Sequence, residues 1–313
     1  VLKAGEAGNR LQVFEDRPIS WDAWDIDAFF EDRGEVIGGL AAFEVIEEGP
    51  LRAAVRIERH YRASRIRQEV RLCAGSPRVD FVTEVDWHET HLLLKVAFPV
   101  AVFSPVATYE IQWGSIMRPT HRNTSWDYAK FEVPAQRWAD LSEADYGVAL
   151  LNDCKYGYDV HKDVLRLSLI KSATMPDAQA DQGRHHFTYA LLPHPGDWRR
   201  GEVIRQAWSL NAPARAERSF RAALGGRALV TTDRPNAVVE TVKVAEDGRG
   251  LLVRLFEAHR ARGPCRVAFS RPPAEVRRCS LLEEPEGPPL PLEGSAVRLT
   301  LRPFEIVSLR VRF

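Results

Sequence analysis

Between Thr108 and Asp159 the chain reads TYEIQWGSIMRPTHRNTSWDYAKFEVPAQRWADLSEADYGVALLNDCKYGYD, with aromatic rings set densely among amides, carboxylates and cations. Ring faces beside hydrogen-bonding groups make a sugar-contacting surface, and they also make a well-satisfied core with one long ordered loop. Arg118, His121, Arg122, Asn123, Trp126 and Asp127 lie in MRPTHRNTSWD, a run with few apolar residues. Such a run is held by hydrogen bonds and presents donors and acceptors at fixed angles, which suits a hydroxyl-rich ligand or a loop pinned by its own side chains. Lys155, Tyr156, Tyr158 and Asp159 surround Gly157 after an expected strand at 147–152, a place for either a site or an ordinary hairpin tip. Asp181 and His185 lie in ADQGRHHF, ahead of an expected strand at 186–192 whose alternation sends His185 and His186 to opposite faces.

Other constellations carry less. Asp86, His88 and His91 in VDWHETH contain a His-x-x-His spacing, but a metal site needs three or four convergent ligands, so a hydrogen-bonded turn is the expectation. In WDAWDID, Trp21 to Asp27, either the tryptophans plug a surface loop or Asp22, Asp25 or Asp27 faces a ligand. HExxH, GxSxG and P-loop motifs are absent. Glycoside hydrolysis needs two carboxylates flanking the scissile bond, and no pair stands out from spacing. Asn123-Thr124-Ser125 matches a glycosylation sequon, which matters only in a secretory compartment.

The elements that must position these residues are strands. Period-two patterns run through 51–62, 65–73 and 79–87, with Val79, Phe81, Thr83, Val85 and Trp87 on one face and Gly75-Ser76-Pro77 as a hairpin turn. They recur at 92–103, 147–153, 164–171 and 186–192. The one helical stripe is 199–209, with Asp197 as the expected N-cap. Shorter strands are expected at 237–244, 250–257, 265–269, 276–282, 296–301 and 305–312.

With 313 residues the chain can bury a large core and form two domains. Lys plus Arg and Asp plus Glu both total 43, so no net field draws it to nucleic acid or an anionic membrane. Four separated cysteines suggest neither a disulfide framework nor a thiolate metal site and fit a reduced cytoplasm. No apolar run approaches the roughly 18 residues of a membrane span, and no signal peptide opens the chain. The missing initiator Met suggests a fragment. All eight tryptophans precede residue 209, an asymmetry that marks two domains. The expected division is 1–215, a boundary at 216–236, and a bland small β-sandwich at 237–313.

Four long phrases then resemble a known family: NRLQVFEDRPISWDAWDID, RIRQEVRLCAGSPRVDFVTEVDWHETHLLLKVAFPV, the Thr108–Asp159 stretch and DQGRHHFTYALLPHPGDW. Together they resemble the C-terminal β region of family 38 α-mannosidases, in the cytosolic, vacuolar and bacterial branch. The resemblance implies an all-β fold: a large antiparallel supersandwich like that of mutarotases, then a small β-sandwich. It implies part of a retaining exo-α-mannosidase acting on mannose-containing glycans, whose N-terminal barrel holds zinc and the nucleophile. No stretch here matches the barrel's zinc-ligand or nucleophile motifs, so no catalytic or metal-binding residue is expected in this chain. Its loops at His121–Asp127, Lys155–Asp159 and Asp181–His185 are expected to face the barrel, and an uncovered barrel-facing surface would favour a homo-oligomer. The alternatives are a stand-alone carbohydrate-binding module and a mutarotase-like or lyase-like sandwich.

Overall fold

The computed structural model describes residues 1–216 and 228–313. The chain divides into two compact units, one of residues 1–110 and 116–214, the other of 111–115 and 215–313. The expected boundary at 216–236 includes residues 217–227, which lie outside the described residues.

The first unit opens with β1 (Arg10–Glu15), β2 (Gly34–Val36), β3 (Ala42–Glu48), β4 (Arg52–Tyr61), β5 (Ser64–Cys73), β6 (Val79–Trp87) and β7 (Leu92–Pro99). Next come β8 (Val106–Ile111), β9 (Gly114–Pro119), the short helix α1 (Ser125–Tyr128), β10 (Val133–Pro134), β11 (Trp138–Ser142) and β12 (Tyr146–Asn152). It closes with β13 (Gly157–His161), β14 (Val164–Lys171), β15 (Gly183–Pro195) and α2 (Val203–Asn211). A nine-stranded sheet runs in the order β3-β4-β5-β6-β15-β12-β11-β8-β9, and a six-stranded sheet runs β10-β13-β14-β7-β1-β2.

Alternation explains why the two sheets stack. On β6, Phe81, Thr83, Val85 and Trp87 are buried while Val82, Glu84 and Asp86 face outward. Phe81 meets Phe98 of β7 at 5.5 Å and Tyr189 of β15 at 5.2 Å between ring centroids, joining the sheets through one core. One polar knot lies inside it. Gln68 donates to Thr83 Oγ1 at 3.0 Å and to Tyr189 OH at 2.6 Å, and it accepts from Asn9 and Arg59. Because every polar atom of the amide finds a partner, the knot costs little and fixes the register of the surrounding strands.

The outward face of β12 and β15 is covered by α2, where Trp138, Ala149, Leu151, Leu192, Trp198 and Ala207 form a second cluster. Asp197 is not the cap of this helix. Its carboxylate accepts from the amides of Arg199 and Arg200, both at 3.1 Å, and so caps the preceding turn. Glu202 then enters the left-handed region at φ 51° and the helix starts at Val203 with no side-chain cap. Expected strand 92–103 stops at Pro99, which has no amide to donate, and Val100 makes only an isolated bridge with Leu2.

The second unit contains β16 (Val230–Thr232), β17 (Ala237–Val244), β18 (Leu251–Glu257), β19 (Gly263–Phe269) and β20 (Glu275–Cys279). The last strands are β21 (Pro285–Glu286), β22 (Leu292–Glu293), β23 (Ala296–Leu301) and β24 (Ile306–Arg312). Sheets β16-β19-β23-β22 and β17-β18-β24-β20-β21 enclose Val253, Leu255, Val267, Val297, Leu299 and Leu309. Expected strand 276–282 ends early, at Cys279. There Ser280 Oγ accepts from Leu282 and Glu284 amides, and Glu283 turns through φ 65°. All four cysteines are free.

Candidate functional site

On the six-stranded sheet β7 is buried on both faces, which is unusual for a strand whose outer side would otherwise meet solvent. The cover consists of two segments in mutual contact, 17–33 and 120–132. Phe30 packs on Phe14 at 5.1 Å, edge to face, and with Leu93, Ile26 and Phe131 forms a small apolar cap.

Beneath the cap is a closed set of charges. Lys95, wholly buried, pairs with Glu132 and holds Asp159 Oδ2 at 2.6 Å. Arg166 donates Nε to Asp159 Oδ1 at 2.7 Å and pairs with Glu31, whose other oxygen accepts from Arg122 at 2.6 Å. Ser168 Oγ donates to Glu132. Three cations thus meet three carboxylates, and a buried charge set persists only when balanced in this way. Burial pushes the Glu31 carboxyl up, but the hydrogen bond from Arg122 and the charge of Arg166 prevail and hold it at about 2. The Lys95 ammonium also lies 5.3 Å from the Phe30 ring centroid, a cation–π contact.

The beginning of segment 17–33 is tied to the β14–β15 connection. Asp22 Oδ2 accepts from the Thr174 amide at 2.8 Å and from the Met175 amide at 3.0 Å, and these bonds hold its carboxyl below the usual range. His91 Nδ1 is 3.8 Å from Asp22 Oδ1, and its Nε2 is 3.2 Å from Thr174 Oγ1. Trp21 at φ 61° and His91 at φ 53° occupy the left-handed region, a strained choice for bulky side chains that surrounding bonds must enforce. The loop so held presents Trp21 and Trp24, each 73% exposed, and Phe29, 70% exposed, while α1 presents Trp126, 81% exposed.

The sequence-derived candidates divide as follows. Asp159 is buried inside the charge set. His121 Nδ1 lies 3.6 Å from Asp127 Oδ2, and Asp127 in turn accepts from Thr124 Oγ1 at 2.8 Å at the start of α1. Asn123 and Trp126 are exposed on the same segment, which Arg122 fastens to Glu31. Lys155 Nζ is 4.5 Å from the Phe187 ring centroid, beside exposed Tyr156. The Asp181 carbonyl is 2.8 Å from His185 Nε2. Arg118 lies apart on β9, its guanidinium 4.7 Å from the Tyr109 ring centroid. Among the aromatics of 108–159, Tyr109, Trp138 and Tyr158 are core residues, whereas Trp126 and Tyr156 are surface. His88 pairs with Asp86 at 3.0 Å and takes no part in the His91 cluster.

Lys95, Glu31, Glu132 and Arg166 were not anticipated. One signal was available, a lone Lys inside the apolar run HLLLKVAFPV, which a strand buried on both faces tolerates only with a partner waiting. Chemically the set is spent: each carboxylate is neutralised, so it positions loops and offers no free acid or base. Among the described residues no three His, Cys, Asp or Glu side chains are grouped to hold a metal ion, so these residues do not fit a zinc site.

Comparison with known proteins agrees with this architecture. The model of the glycosyl hydrolases family 38 C-terminal domain matches residues 1–179, and that of the family 38 C-terminal beta sandwich domain matches residues 236–309. The chain belongs to glycosyl hydrolase family 38. Human alpha-mannosidase 2C1 is 46% identical over 318 residues, covering 98% of this chain and 30% of that protein. Alpha-mannosidase G of Dictyostelium discoideum is 40% identical over 270 residues, covering 82% of this chain and 24% of its own length. The crystal structure of an alpha-mannosidase from Enterococcus faecalis V583 superposes with a TM-score of 0.78 at 20% identity, covering 97% of this chain and 38% of that one. That likeness shows the fold. The family 38 chain described here therefore spans about 30% of the length of the mammalian relatives it matches.

Proposed function

We propose that this chain is the C-terminal β portion of a retaining exo-α-mannosidase, which removes terminal α-mannosyl residues from glycans in the cytoplasm. Its partner is an N-terminal catalytic barrel of the same enzyme. The single observation that carries the reading is the match, over 98% of this chain, to proteins named alpha-mannosidase that are about three times as long. Zinc, the nucleophile and the acid/base residue belong in this reading to the barrel.

The role of the β portion follows from its residues. The charge set around Lys95 and the Asp22 tether hold segments 17–33 and 120–132 in fixed shape, and their exposed tryptophans form the wall against barrel and sugar. His121, Asn123, Asp127, Lys155, Tyr156, Asp181 and His185 are assigned to the edge of that wall, and Arg118, set apart on β9, is not. Large exposed rings need a partner surface, and a sugar face or a barrel supplies one. No helix among the described residues is long and apolar enough to cross a membrane.

The test compares the 313-residue chain with a protein restored to the length of the relatives, using an aryl α-mannoside as substrate. Turnover by the long form alone is expected. Turnover by the short chain, or none by either, overturns the reading. The exposed tryptophans also favour a second reading, a carbohydrate-binding module, for which a saturable shift of Trp fluorescence with mannose in the short chain is the discriminating result.

A further inference from the structure

Apart from these loops, the second unit contains a groove of about 980 Å³ at one end of its two sheets. It is bounded by the β17–β18 turn, the start of β20 and the end of β24. Arg249, Arg271, Arg277, Arg310 and Arg312 line it, against two acidic side chains, Asp247 and Glu275. Residues 228–313 contain 14 Lys and Arg and 11 Asp and Glu, so outside the groove this stretch is balanced at nine against nine. The whole excess positive charge of this stretch is therefore gathered in one concavity.

In-chain partners satisfy part of the set. Arg310 donates to Asp247 at 2.6 Å and Arg277 to Glu275 at 3.2 Å, while Arg312 stands 3.9 Å from Glu275. Arg249 and Arg271 have no carboxylate within ion-pairing distance among the described residues. Arg271 instead stacks 4.5 Å from the Phe313 ring centroid, which keeps its donors in the groove. The turn that places Arg249 depends on its two glycines. Gly248 and Gly250 hold φ of 71° and 94°, and a Cβ on Gly250 would lie 2.3 Å from the Val311 carbonyl oxygen.

We propose that this groove is a binding site for a phosphate-bearing small molecule. A guanidinium is a fixed fork of donors that stays charged at any physiological pH, and it matches phosphate oxygens two at a time. Guanidiniums arriving from several elements suit a tetrahedral dianion with three free oxygens better than a planar carboxylate with two. Exposed Leu229, Val244 and Phe313 add apolar surface beside the charge, room for the organic body of a phosphomonoester. The site lies in the second unit alone and does not rest on the mannosidase reading.

Calorimetric titration of the 313-residue chain, at matched ionic strength, with inorganic phosphate, a hexose 6-phosphate and the free hexose tests this. Saturable heat with both phosphates and none with the hexose is expected. The double variant Arg249→Ser/Arg271→Ser should weaken it at least about tenfold, each lost fork being a charge-assisted bond. Arg298→Ser, outside the groove and paired with Glu293 at 2.7 Å, should leave it unchanged. Absence of saturable heat with either phosphate, equal binding of the free hexose, equal loss in Arg298→Ser, or binding of an acidic peptide in place of phosphate overturns the proposal.

Discussion

Lys95 of β7 reaches across β14 to hold Asp159 of β13 at 2.6 Å, so one ammonium ties three adjacent strands of the six-stranded sheet. The same nitrogen pairs with Glu132 on segment 120–132. Sheet and covering loop are thus fastened at a single buried atom.

Removing that atom should be severe. Lys95→Met keeps most of the stem but leaves Asp159 and Glu132 buried with one cation fewer. A loss of about 3 kcal/mol is expected, since breaking a buried pair strands its partner charge. Chemical denaturation measures it, and a loss below about 1 kcal/mol would mean that water or Arg166 replaces the ammonium.

The acid limb of stability should carry a signature of Glu31. Its folded value, about 2, lies below the ordinary 4.5, so its contribution is complete above 4.5 and is lost as pH falls through 2. Because the side chain is partly solvated, the contribution is screened to about 1–2 kcal/mol. Glu31→Gln should flatten the denaturation midpoint between those two pH values, and an unchanged slope would count against the pairing.

Two tryptophans on one stretch should behave oppositely. Trp138→Ala removes a wholly buried ring packed 5.2 Å from Trp198, with an expected loss of about 3–5 kcal/mol. Trp126→Ala should stay within about 0.5 kcal/mol, as exposed substitutions do. On the proposed mannosidase reading, the order should reverse for catalysis in a protein restored to the length of the relatives: Trp126→Ala is expected to lower kcat/KM on an α-mannoside without changing the melting temperature.

Neighbouring glycines separate strain from clash. Gly248→Ala meets open space, so it should cost only the left-handed penalty, about 1 kcal/mol. Gly250→Ala also collides with the Val311 backbone and should cost more than about 2 kcal/mol. Thermal melts of the two variants decide this, and equal losses would refute the close approach.

Strands whose residues alternate cleanly were legible from sequence. Strand β6, with Phe81, Thr83, Val85 and Trp87 inward, and the small-sandwich strand β23 coincide with their expected positions, as does β17 despite a bulge between Val239 and Thr241. Strands β1 and β3 escaped notice. Leu11, Val13 and Phe14 of β1 are buried on both faces, and β3 is an edge whose Phe43 and Val45 are exposed, so neither shows a simple period. The polar run at 118–127 was legible as a break between strands, although its first two residues belong to β9 and its last three to α1, and its anchors were not legible. Glu31 and Arg122 are 91 positions apart, and no local pattern marks an ion pair at that separation. Lys95 was visible only as an oddity in an apolar run.

The left-handed turn at Trp21 has a consequence for how fast and how tightly this surface can meet another. Asp22, bonded to the amides of Thr174 and Met175, fixes the loop during folding. Its rings therefore enter an encounter already ordered, and association loses little further conformational entropy. Loosening the tether with Asp22→Ala would leave every contact atom of Trp21 and Trp24 in place yet transfer the ordering to the moment of binding, so that the surface would be chemically intact and kinetically slower.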